Sequence, residues 1–499
     1  MVRKDYSALK NGSDVRGVAI RGVKGDKVNL TKRAAQDIAA AFCTWLKEKT
    51  GKTSVRISVG HDPRLSAKKL EKAIVKGIVS TGSNAETTGL SSTPSMFMLL
   101  KDENRSSDGS IMITASHLPY HRNGMKFFKA DGGLESQDIA EILTLAEETT
   151  KKTVQKGTSE HKPYLDEYSK RLVRFVQEAT GRQHPLKGKK IVVDAGNGAG
   201  GFYVDKVLRP LGADTEGSQF LDPDGRFPNH IPNPEDETAM RSARRMVLNA
   251  KADFGIIFDT DVDRAGAVDH TGEEINRNKL IALISAVLLE EKKGTIVTDS
   301  VTSDGLKEFI KARGGKHHRF KRGYKNVINE AKRLNAAGEY TPLAIETSGH
   351  AALKENYFLD DGAYLITRLL VALAKESEKG NKLTRLIDEL KEPKEEAEVR
   401  FPFTDREHFK ELGKRILSDF ERYAEEQPFL SLAEDNLEGI RVNFQEGYGD
   451  GWLLARMSLH EPLLPVNAES NEEGGVEKML DFFKAFLSGY DGIDLNDEK

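Results

Sequence analysis

A hydroxyl, an imidazole and an amine follow one apolar stretch of this 499-residue sequence. The stretch IMITASHLPYHRNGMKFF, residues 111–128, predicts a strand over 111–114, and Ser116, His117 and Lys126 come after it. A serine at such a place can act as a nucleophile when another group activates it. The same pattern is also typical of a turn with a helix-capping serine. On its own the segment leaves both interpretations open.

Three carboxylates at alternate positions follow a second apolar stretch, in the segment FGIIFDTDVDRAGAVD. Asp259, Asp261 and Asp263 would converge in a tight loop, where their charges repel unless a hard cation neutralises them. Oxygen ligands favour Mg²⁺ over zinc. An EF-hand also begins this way, but its sixth and twelfth loop positions need glycine and glutamate, and Arg264 and His270 stand there. We therefore predict a magnesium loop, with a solvated acidic turn as the alternative.

A third strand end carries groups suited to sugar hydroxyls. The predicted strand 343–345 leads into Glu346, Ser348 and His350, which together offer hydrogen-bond acceptors and donors. Helix capping by Ser348 beside a structural histidine is the alternative interpretation.

A fourth strand end carries groups suited to an anion. The predicted strand 452–455 leads into Arg456, Ser458 and His460, and an arginine grips phosphate bidentately. A basic cluster, KHHRFKRGYK at 316–325, could balance a substrate phosphate. The alternatives are a surface arginine at 456 and, for the cluster, a solvated face or an RNA-binding patch.

These side chains need a scaffold that presents strand ends together. The segments RISVGHDPR, KIVVDAGNGAGG and TIVTDSVTSDG each predict a strand, an aspartate, a turn and then a helix. Strands that alternate with helices favour α/β units with mostly parallel sheets. Ligands of such sheets bind beyond the carboxyl ends of the strands.

The chain is too long for a single hydrophobic core, so we expect several domains. The polar segment 147–163 and the highly charged segment 390–400 are predicted linkers, and a softer boundary lies near 276. The last hundred or so residues combine amphipathic helical stretches with short strands, which predicts a smaller α+β domain.

Composition excludes several classes of protein. A net charge of −3 does not suggest nucleic-acid binding, and no apolar run approaches the roughly 20 residues that span a bilayer. The N-terminal residues have neither an apolar signal core nor transit-peptide character. The single cysteine, Cys43, has the helical spacing of a buried apolar residue, and a reducing compartment fits a chain that can form no internal disulfide.

Four motifs together resemble one family. TASHLP, DTDVDR, ETSGH and RMSLHEP are similar, in this order, to the serine, metal, sugar and phosphate loops of the α-D-phosphohexomutases, the family of phosphoglucomutase, phosphomannomutase and phosphoglucosamine mutase. NGSDVRGVAI, VGHDPRLS, SSTPSM and DGRFPNHIPNPE also resemble landmarks of that family. The resemblance spans nearly the whole chain.

The resemblance implies a four-domain architecture, with three related α/β domains of mixed sheets and a C-terminal α+β domain around a central cleft. We expect domain I, with the phosphoserine loop, over 1–160 and domain II, with the metal loop, over 161–276. Domain III, with the sugar loop, is expected over 277–392, and domain IV, with the phosphate loop, over 393–499.

The resemblance also implies an activity. The enzyme would interconvert hexose 1-phosphates and hexose 6-phosphates of glucose, mannose or both, through a phosphorylated Ser116 and a bound hexose 1,6-bisphosphate, which also serves as activator. Mg²⁺ would bind Asp259, Asp261, Asp263 and an oxygen of the phosphorylated Ser116. The implied partners are small hexose phosphates, with neither nucleic acid nor membrane, in the cytoplasm.

Residue roles follow from the same resemblance. Lys126 matches the proposed general acid/base of the family, and we expect neighbouring cations to lower its pKa. His117 and Arg16 match positions around the phosphoserine, and Arg264 can supply positive charge near the transferred group. Lys325 falls in the loop that helps to select the sugar orientation. The expected substrate-binding set is completed by Glu346, Ser348, His350, Arg456, Ser458 and His460.

Departures from the family pattern keep alternatives open. Ile345 stands where the sugar loop usually has glycine, and Leu459 and His460 replace a small residue and a threonine in the phosphate loop. These changes leave phosphoglucosamine mutase as an alternative substrate assignment and a non-catalytic family member as an alternative function. A haloacid-dehalogenase-type phosphatase, with Asp259 as nucleophile and LDDGAY as its late acidic pair, is the alternative of another class.

Overall fold

The computed structural model describes residues 5–148, 156–458 and 461–496. The chain forms two compact units. The first unit contains Met1–Leu280 and Ser348–Arg385, and the second contains Ile281–Thr347 and Leu386–Lys499. The chain thus leaves the first unit after Leu280, returns at Ser348 and leaves again after Arg385, which a linear division into consecutive segments does not anticipate.

The N-terminal sheet of the first unit is mixed. Its order is β1-β2-β6-β5-β3-β4-β8, with β7 on β6; β3 pairs in parallel with β4 and β5, whereas β6 pairs antiparallel with β5 and β2. The strands are β1 (Lys10–Asn11), β2 (Asp14–Val18), β3 (Arg56–His61), β4 (Asn84–Leu90), β5 (Gly109–Ile113), β6 (Arg122–Lys129), β7 (Gly132–Gly133) and β8 (Ser159–His161). The helices are α1 (Lys32–Thr50), α2 (Ala67–Ser80), α3 (Thr93–Met98), α4 (Ser136–Glu147) and α5 (Leu165–Thr180).

Helix α1 shows how the local sequence builds this layer. The Thr31 side chain accepts a hydrogen bond from the Ala34 amide at the start of the helix, and Gly51 ends it in the left-handed conformation. The face between them buries Phe42, Cys43 and other apolar residues in the core. The prediction that Cys43 is a buried apolar position is confirmed.

A four-stranded sheet follows in the first unit, in the order β12-β11-β10-β9. Strand β10 pairs in parallel with β9 and antiparallel with β11, so this sheet is mixed as well. Its elements are β9 (Ile191–Asp194), α6 (Glu237–Ala250), β10 (Phe254–Phe258), β11 (Ala265–Asp269) and β12 (Glu274–Ile275). Helix α7 (Arg277–Glu291) begins in the first unit and continues into the second. Strand β10 is buried along its whole length and leads directly into the acidic loop.

A third set of elements is divided between the units. In the second unit, β13 pairs in parallel with β14 and with β15. In the first unit, β16 and β17 pair antiparallel, and α10 packs on α5. The elements are β13 (Thr295–Asp299), α8 (Asp304–Ala312), β14 (Lys316–Phe320), α9 (Tyr324–Ala336), β15 (Leu343–Ile345), β16 (Ala351–Leu353), β17 (Leu359–Asp360) and α10 (Gly362–Glu378).

The C-terminal part of the second unit is an antiparallel sheet in the order β18-β22-β21-β20-β19. Aromatic residues of two helices form its core, where the Phe420 and Phe483 rings meet edge to face with centroids 4.7 Å apart. The predicted α+β character is confirmed. The elements are β18 (Glu395–Pro402), α11 (Phe409–Glu425), β19 (Leu430–Leu432), β20 (Ile440–Phe444), β21 (Gly451–Ala455), β22 (Leu463–Ser470) and α12 (Gly475–Leu487).

Two predicted linkers are partly wrong. Residues 159–161 form β8, which adds to the edge of a sheet beside β4, and residues 395–400 belong to β18. Their polar composition is that of edge strands, whose exposed side must stay in water. Residues 149–155 of the first segment lie outside the described residues. None of the helices in the described ranges combines the length and the apolar character needed to cross a membrane.

Candidate active site

Ser116 lies just beyond β5, as the sequence predicts, in a backbone conformation that is unusual for serine. Its φ is 52°, which costs a non-glycine residue roughly 1–2 kcal/mol. The side chain is buried, and its hydroxyl donates a hydrogen bond to Oδ2 of Asp259 at 3.0 Å. The Arg264 Nη2 atom lies 3.4 Å from the same hydroxyl oxygen. The serine of one strand end and the acidic loop of another therefore form one site in the first unit.

The acidic loop is built to hold a cation. Asp259, Asp261 and Asp263 are buried, and one carboxylate oxygen from each lies within 4.8 Å of the others. Burial raises the pKa of Asp259 well above its usual range, with Asp263 and Asp261 adding to the effect, and burial with Asp263 raises the pKa of Asp261 to about 6. Oδ1 of Asp261 and Oδ1 of Asp263 are buried without a hydrogen-bond partner among the described residues. These orphaned oxygens fit a hard divalent ion.

A neighbouring loop orients one of these carboxylates. The Thr93 hydroxyl donates to Oδ2 of Asp261, and the Thr93 amide donates to the Asp261 carbonyl at 2.8 Å. Thr93 begins α3, in the landmark segment SSTPSM, to which the sequence patterns assign no role. Because the Thr93 hydroxyl occupies Oδ2 of Asp261, Oδ1 is the oxygen available to a metal.

The His117 imidazole has a defined protonation state. Burial lowers its pKa to about 3, and the positive charges of Arg264 and Arg16 contribute. The Arg264 Nη2 atom lies 2.7 Å from Nδ1 of His117. A guanidinium can only donate, so Nδ1 accepts and the neutral ring carries its proton on Nε2. Since Arg264 uses Nδ1, this nitrogen is not free to deprotonate the serine.

Lys126 lies on β6 between two carboxylates. Its Nζ atom is 3.3 Å from Oδ2 of Asp14 and 3.5 Å from Oδ2 of Asp263. Arg16 contacts the same Asp14 carboxylate at 2.9 Å. Burial raises the pKa of Asp14, but Lys126 and Arg16 outweigh burial and hold it below its usual value. From the sequence we expect cations beside Lys126; the structure places two carboxylates next to its amine, which the spacing along the chain does not show.

His350 belongs to the same unit and faces the acidic loop. Its Nδ1 atom hydrogen-bonds to Oδ2 of Asp360, and Asp263, His350 and Asp360 form a second close group of possible ligand atoms. Burial lowers the pKa of His350, but the carboxylates of Asp360 and Asp263 raise it above the usual value overall. From the sequence, Asp360 has a role only in the phosphatase alternative. The Ser348 hydroxyl is buried without a partner in the described part of the chain.

Glu346 lies in the second unit, directly after β15. Its Oε1 atom accepts a hydrogen bond from the Gly323 amide at 2.6 Å, at the start of α9. The next residue, Thr347, donates from its hydroxyl to Oδ2 of Asp299 at 2.8 Å and from its amide to Oδ1 at 3.3 Å. The ends of β13 and β15 thus hold the sugar loop, as expected for adjacent parallel strands.

The predicted phosphate loop follows β21 in the second unit. The Arg456 guanidinium is buried, and its Nε atom has no partner among the described residues. Burial and then Arg322 lower the pKa of Arg456. Arg322, which the sequence patterns do not single out, lies 3.7 Å from Asp299, and Lys325 lies in the first turn of α9. Ser458 accepts from the Glu461 amide at 3.2 Å, and Leu459 and His460 lie outside the described residues.

Comparison with known proteins gives this geometry its context. Residues 8–153, 162–272 and 276–393 match the alpha/beta/alpha domains I, II and III of phosphoglucomutase/phosphomannomutase. The chain belongs to the phosphoglucomutase/phosphomannomutase family. The phosphomannomutase/phosphoglucomutase of Pseudomonas putida is 30% identical over 483 residues, which cover 95% of each chain.

Solved structures show the same fold. A phosphoglucomutase/phosphomannomutase family protein from Burkholderia thailandensis has a TM-score of 0.78 at 24% identity and covers 97% of this chain and 98% of its own. The N-acetylphosphoglucosamine mutase of Aspergillus fumigatus, in complex with GlcNAc-6P and magnesium, has a TM-score of 0.54 at 11% identity, covering 91% and 92%. Three α/β/α domains and a C-terminal sheet domain fit the four-domain phosphohexomutase architecture.

Family membership decides the class of reaction. The chain is a hexose phosphate mutase, an isomerase that transfers a phosphoryl group. The haloacid-dehalogenase phosphatase and the non-catalytic alternatives are not favoured, and neither is a restriction to phosphoglucosamine. In the first unit the structure brings together Ser116, His117, Lys126, Arg16, Arg264, the three aspartates and His350; Glu346, Arg456 and Ser458 belong to the second unit.

Proposed function

We propose that the enzyme interconverts the 1-phosphates and 6-phosphates of glucose and mannose, with Ser116 as the phosphoryl carrier. The observation that carries this proposal is the contact of the buried Ser116 hydroxyl with Asp259 at 3.0 Å, next to the Arg264 guanidinium. A serine destined for hydrolysis would need a base that activates it, and Nδ1 of His117 is occupied by Arg264. A carrier needs charge neutralisation and positioning instead.

The proposed reaction has two transfers. In the first, the bond between phosphorus and Oγ of phosphorylated Ser116 breaks while a bond to the free sugar hydroxyl forms, giving a hexose 1,6-bisphosphate. In the second, the other phosphate of the reoriented bisphosphate passes back to Ser116. Lys126 takes the proton of the attacking hydroxyl and returns it to the departing sugar oxygen. Arg16, His117 and Arg264 are proposed to surround the transferred group.

We propose Mg²⁺ as the cofactor and hexose 1,6-bisphosphate as the activator that loads Ser116. Asp259, Asp261, Asp263 and an oxygen of the phosphoserine would hold the ion, and the two orphaned oxygens support this ligand set. When bound, Mg²⁺ supplies positive charge that neutralises the transferred phosphoryl group.

We further propose roles for the remaining predicted residues. Glu346, Ser348 and His350 would bind the sugar hydroxyls, and Lys325 would help to select the sugar orientation. Arg456, Ser458 and His460 would bind the phosphate that is not being transferred. The buried Arg456 Nε atom supports an anion site there. The domain limits 1–160, 161–276, 277–392 and 393–499 and a cytoplasmic location remain part of this proposal.

The test is ³¹P NMR of the enzyme with Mg²⁺, a trace of glucose 1,6-bisphosphate, and glucose, mannose and glucosamine 1-phosphates in competition. We expect growth of 6-phosphate signals of glucose and mannose, absent with Ser116→Ala. Inorganic phosphate that still forms with Ser116→Ala would overturn the carrier role. Faster conversion of glucosamine 1-phosphate would overturn the proposed substrate.

A further inference from the structure

A buried arginine outside the predicted site holds the backbone of the serine loop. Arg64 follows β3 and is 2% exposed. Its Nη2 atom donates to the carbonyl oxygens of Ser116 and Leu118, the latter at 2.6 Å. Its Nη1 atom donates to those of Pro119 and Arg122, at 2.8 and 3.0 Å. With Nε donating to Asp62, all five N–H groups of the guanidinium are used, and four of them bind the loop.

Asp62 extends this contact to the other side of Ser116. One carboxylate oxygen accepts from the Arg64 amide at 2.9 Å, and the other accepts from the Thr114 hydroxyl at 2.8 Å. The Thr114 hydroxyl in turn accepts from the Ser116 amide at 2.9 Å. The amide and the carbonyl of Ser116 are therefore both held by the Asp62–Arg64 pair. This double restraint explains how the residue keeps a φ of 52° without glycine.

The restraint also orients a second donor. Because the peptide bond is planar and trans, a Ser116 carbonyl that points at Arg64 directs the His117 N–H to the opposite side. The described residues offer that N–H no acceptor. A phosphoryl group on Ser116 would lie next to it, and backbone N–H groups stabilise developing negative charge well when they are held in advance.

The segment DGRFPNH closes over this arrangement. The Phe227 ring lies 5.2 Å from the Arg64 guanidinium carbon, and Gly225 pairs with the Arg64 backbone. A Cβ atom at Gly225 would stand 2.3 Å from the Pro63 carbonyl oxygen, so only glycine allows this approach. The aromatic ring covers a cation that binds the serine loop through four of its five N–H groups.

We propose that Arg64 is a positioning residue for phosphoryl transfer, which holds the Ser116 loop so that Oγ of Ser116 and the His117 N–H face the same phosphoryl group. The proposal rests on the carrier role of Ser116. Arg64 touches no substrate atom in it; its effect is transmitted through the backbone of residues 116–122. A misplacement of about 1 Å at a reacting group can reduce a rate by about a hundredfold.

Arg64→Lys tests the proposal, because lysine keeps the charge but cannot bind four carbonyl groups. We expect kcat to fall about a hundredfold while KM for glucose 1-phosphate stays within about threefold, because the substrate contacts are unchanged. We also expect the ³¹P resonance of phosphoserine, after loading with glucose 1,6-bisphosphate, to shift or broaden. Thr114→Val, which removes both the acceptor of the Ser116 amide and the donor to Asp62, should lower kcat about tenfold.

Arg105→Lys is the matched control. Arg105 also has a mostly buried side chain in the first unit, and it holds the carbonyl groups of Lys162 and Pro163 away from the site. Arg105→Lys should lower the stability of the protein without changing kcat or the phosphoserine resonance. Wild-type kcat in Arg64→Lys, or equal losses in both variants, would overturn the proposal; if Arg64→Lys fails to fold, an unchanged kcat in Thr114→Val would do so. Activity that persists in Ser116→Ala would instead refute the carrier role itself.

Discussion

The Arg264 guanidinium donates a hydrogen bond to Nδ1 of His117 across 2.7 Å. This contact decides whether His117 could act as a catalytic base for the adjacent Ser116 hydroxyl. A catalytic base beside Ser116 would need a free ring nitrogen that faces the hydroxyl, whereas the Ser116 oxygen lies 3.4 Å from a nitrogen that already accepts from an arginine. The histidine is a neutral partner of a buried cation, and the Ser116 hydroxyl contacts Asp259 and Arg264.

His117→Asn should therefore retain most activity, because the asparagine oxygen can replace Nδ1 as the acceptor for Arg264. His117→Ala should lower kcat/KM by about 10- to 100-fold, since a hydrogen bond to a charged group contributes about 1.5–3 kcal/mol. With its pKa lowered to about 3, His117 stays neutral between about pH 5 and 8. The measurement is kcat/KM across that pH range. A pH dependence of kcat/KM that the wild type shows and His117→Asn lacks would contradict the neutral state of His117.

Thr93→Val should weaken divalent-ion binding without removing a ligand. The substitution keeps the shape of Thr93 but loses its hydrogen bond to Oδ2 of Asp261. Partners of this kind typically contribute 10- to 100-fold in metal affinity, so we expect the Mg²⁺ concentration for half-maximal activity to rise about tenfold. Thr144→Val, whose hydroxyl bonds only within α4, is the control. An unchanged Mg²⁺ titration would show that Thr93 does not orient the loop.

Glu346→Gln should raise KM for hexose 1-phosphates and leave the thermal stability of the protein nearly unchanged. The glutamine oxygen can still accept from the Gly323 amide, so the thermal midpoint should stay within a few degrees. The lost charge weakens hydrogen bonds to sugar hydroxyls, and we expect KM for hexose 1-phosphates to rise about tenfold. Glu339→Gln, which alters a contact with Thr295 in the same unit, should leave KM unchanged. Equal KM values for both variants would remove Glu346 from the substrate site.

His230→Gln should reveal a pH-dependent contribution to stability. Nε2 of His230 lies 3.0 Å from the buried Asp194 carboxylate, and Nδ1 lies 2.9 Å from the Ile231 carbonyl oxygen, so both nitrogens face acceptors. Burial lowers the pKa of His230, but Asp194 outweighs burial and raises it overall. A raised folded pKa stabilises the protein fully below the unfolded value of about 6.5, and the contribution is lost as pH rises through the folded value.

We therefore expect the deficit in unfolding temperature of His230→Gln to be larger at about pH 6 than at about pH 8.5. Differential scanning calorimetry of the two proteins at both pH values checks this. His184→Gln, at an exposed position, provides the matched control. A deficit that is the same at both pH values would mean that the imidazole is neutral in the folded protein.

Sequence patterns predicted the strand ends well because the relevant signals are local. The apolar run that precedes Glu346 forms β15 with the predicted limits, and the run that precedes Asp259 forms β10. Alternate carboxylates within one tight loop must converge wherever the loop lies, so the acidic site followed from spacing alone. Edge strands β8 and β18 were missed, because their polar composition matches that of a linker.

The residues that support the site were not found by pattern. Arg64 stands 52 positions before Ser116, and Thr93 lies 168 positions before Asp261. Asp194 is also distant along the chain from its partner His230. A lone arginine, threonine or aspartate has no local signal that distinguishes it from a surface residue. The landmarks VGHDPRLS and DGRFPNH contained Arg64 and Phe227, but only their contact shows a common role.

By itself the sequence determined the class of elements, the four polar strand ends and the groups able to carry phosphoryl chemistry, because periodicity and spacing act within a few residues along the chain. The tertiary structure decided which charges are neighbours. It placed carboxylates beside Lys126. It also placed Arg264 within hydrogen-bond distance of the His117 imidazole nitrogen, and Arg64 within hydrogen-bond distance of the Ser116 carbonyl oxygen. Protonation states and loop conformations depend on burial and on distances of a few ångströms, which arise only when distant segments pack together.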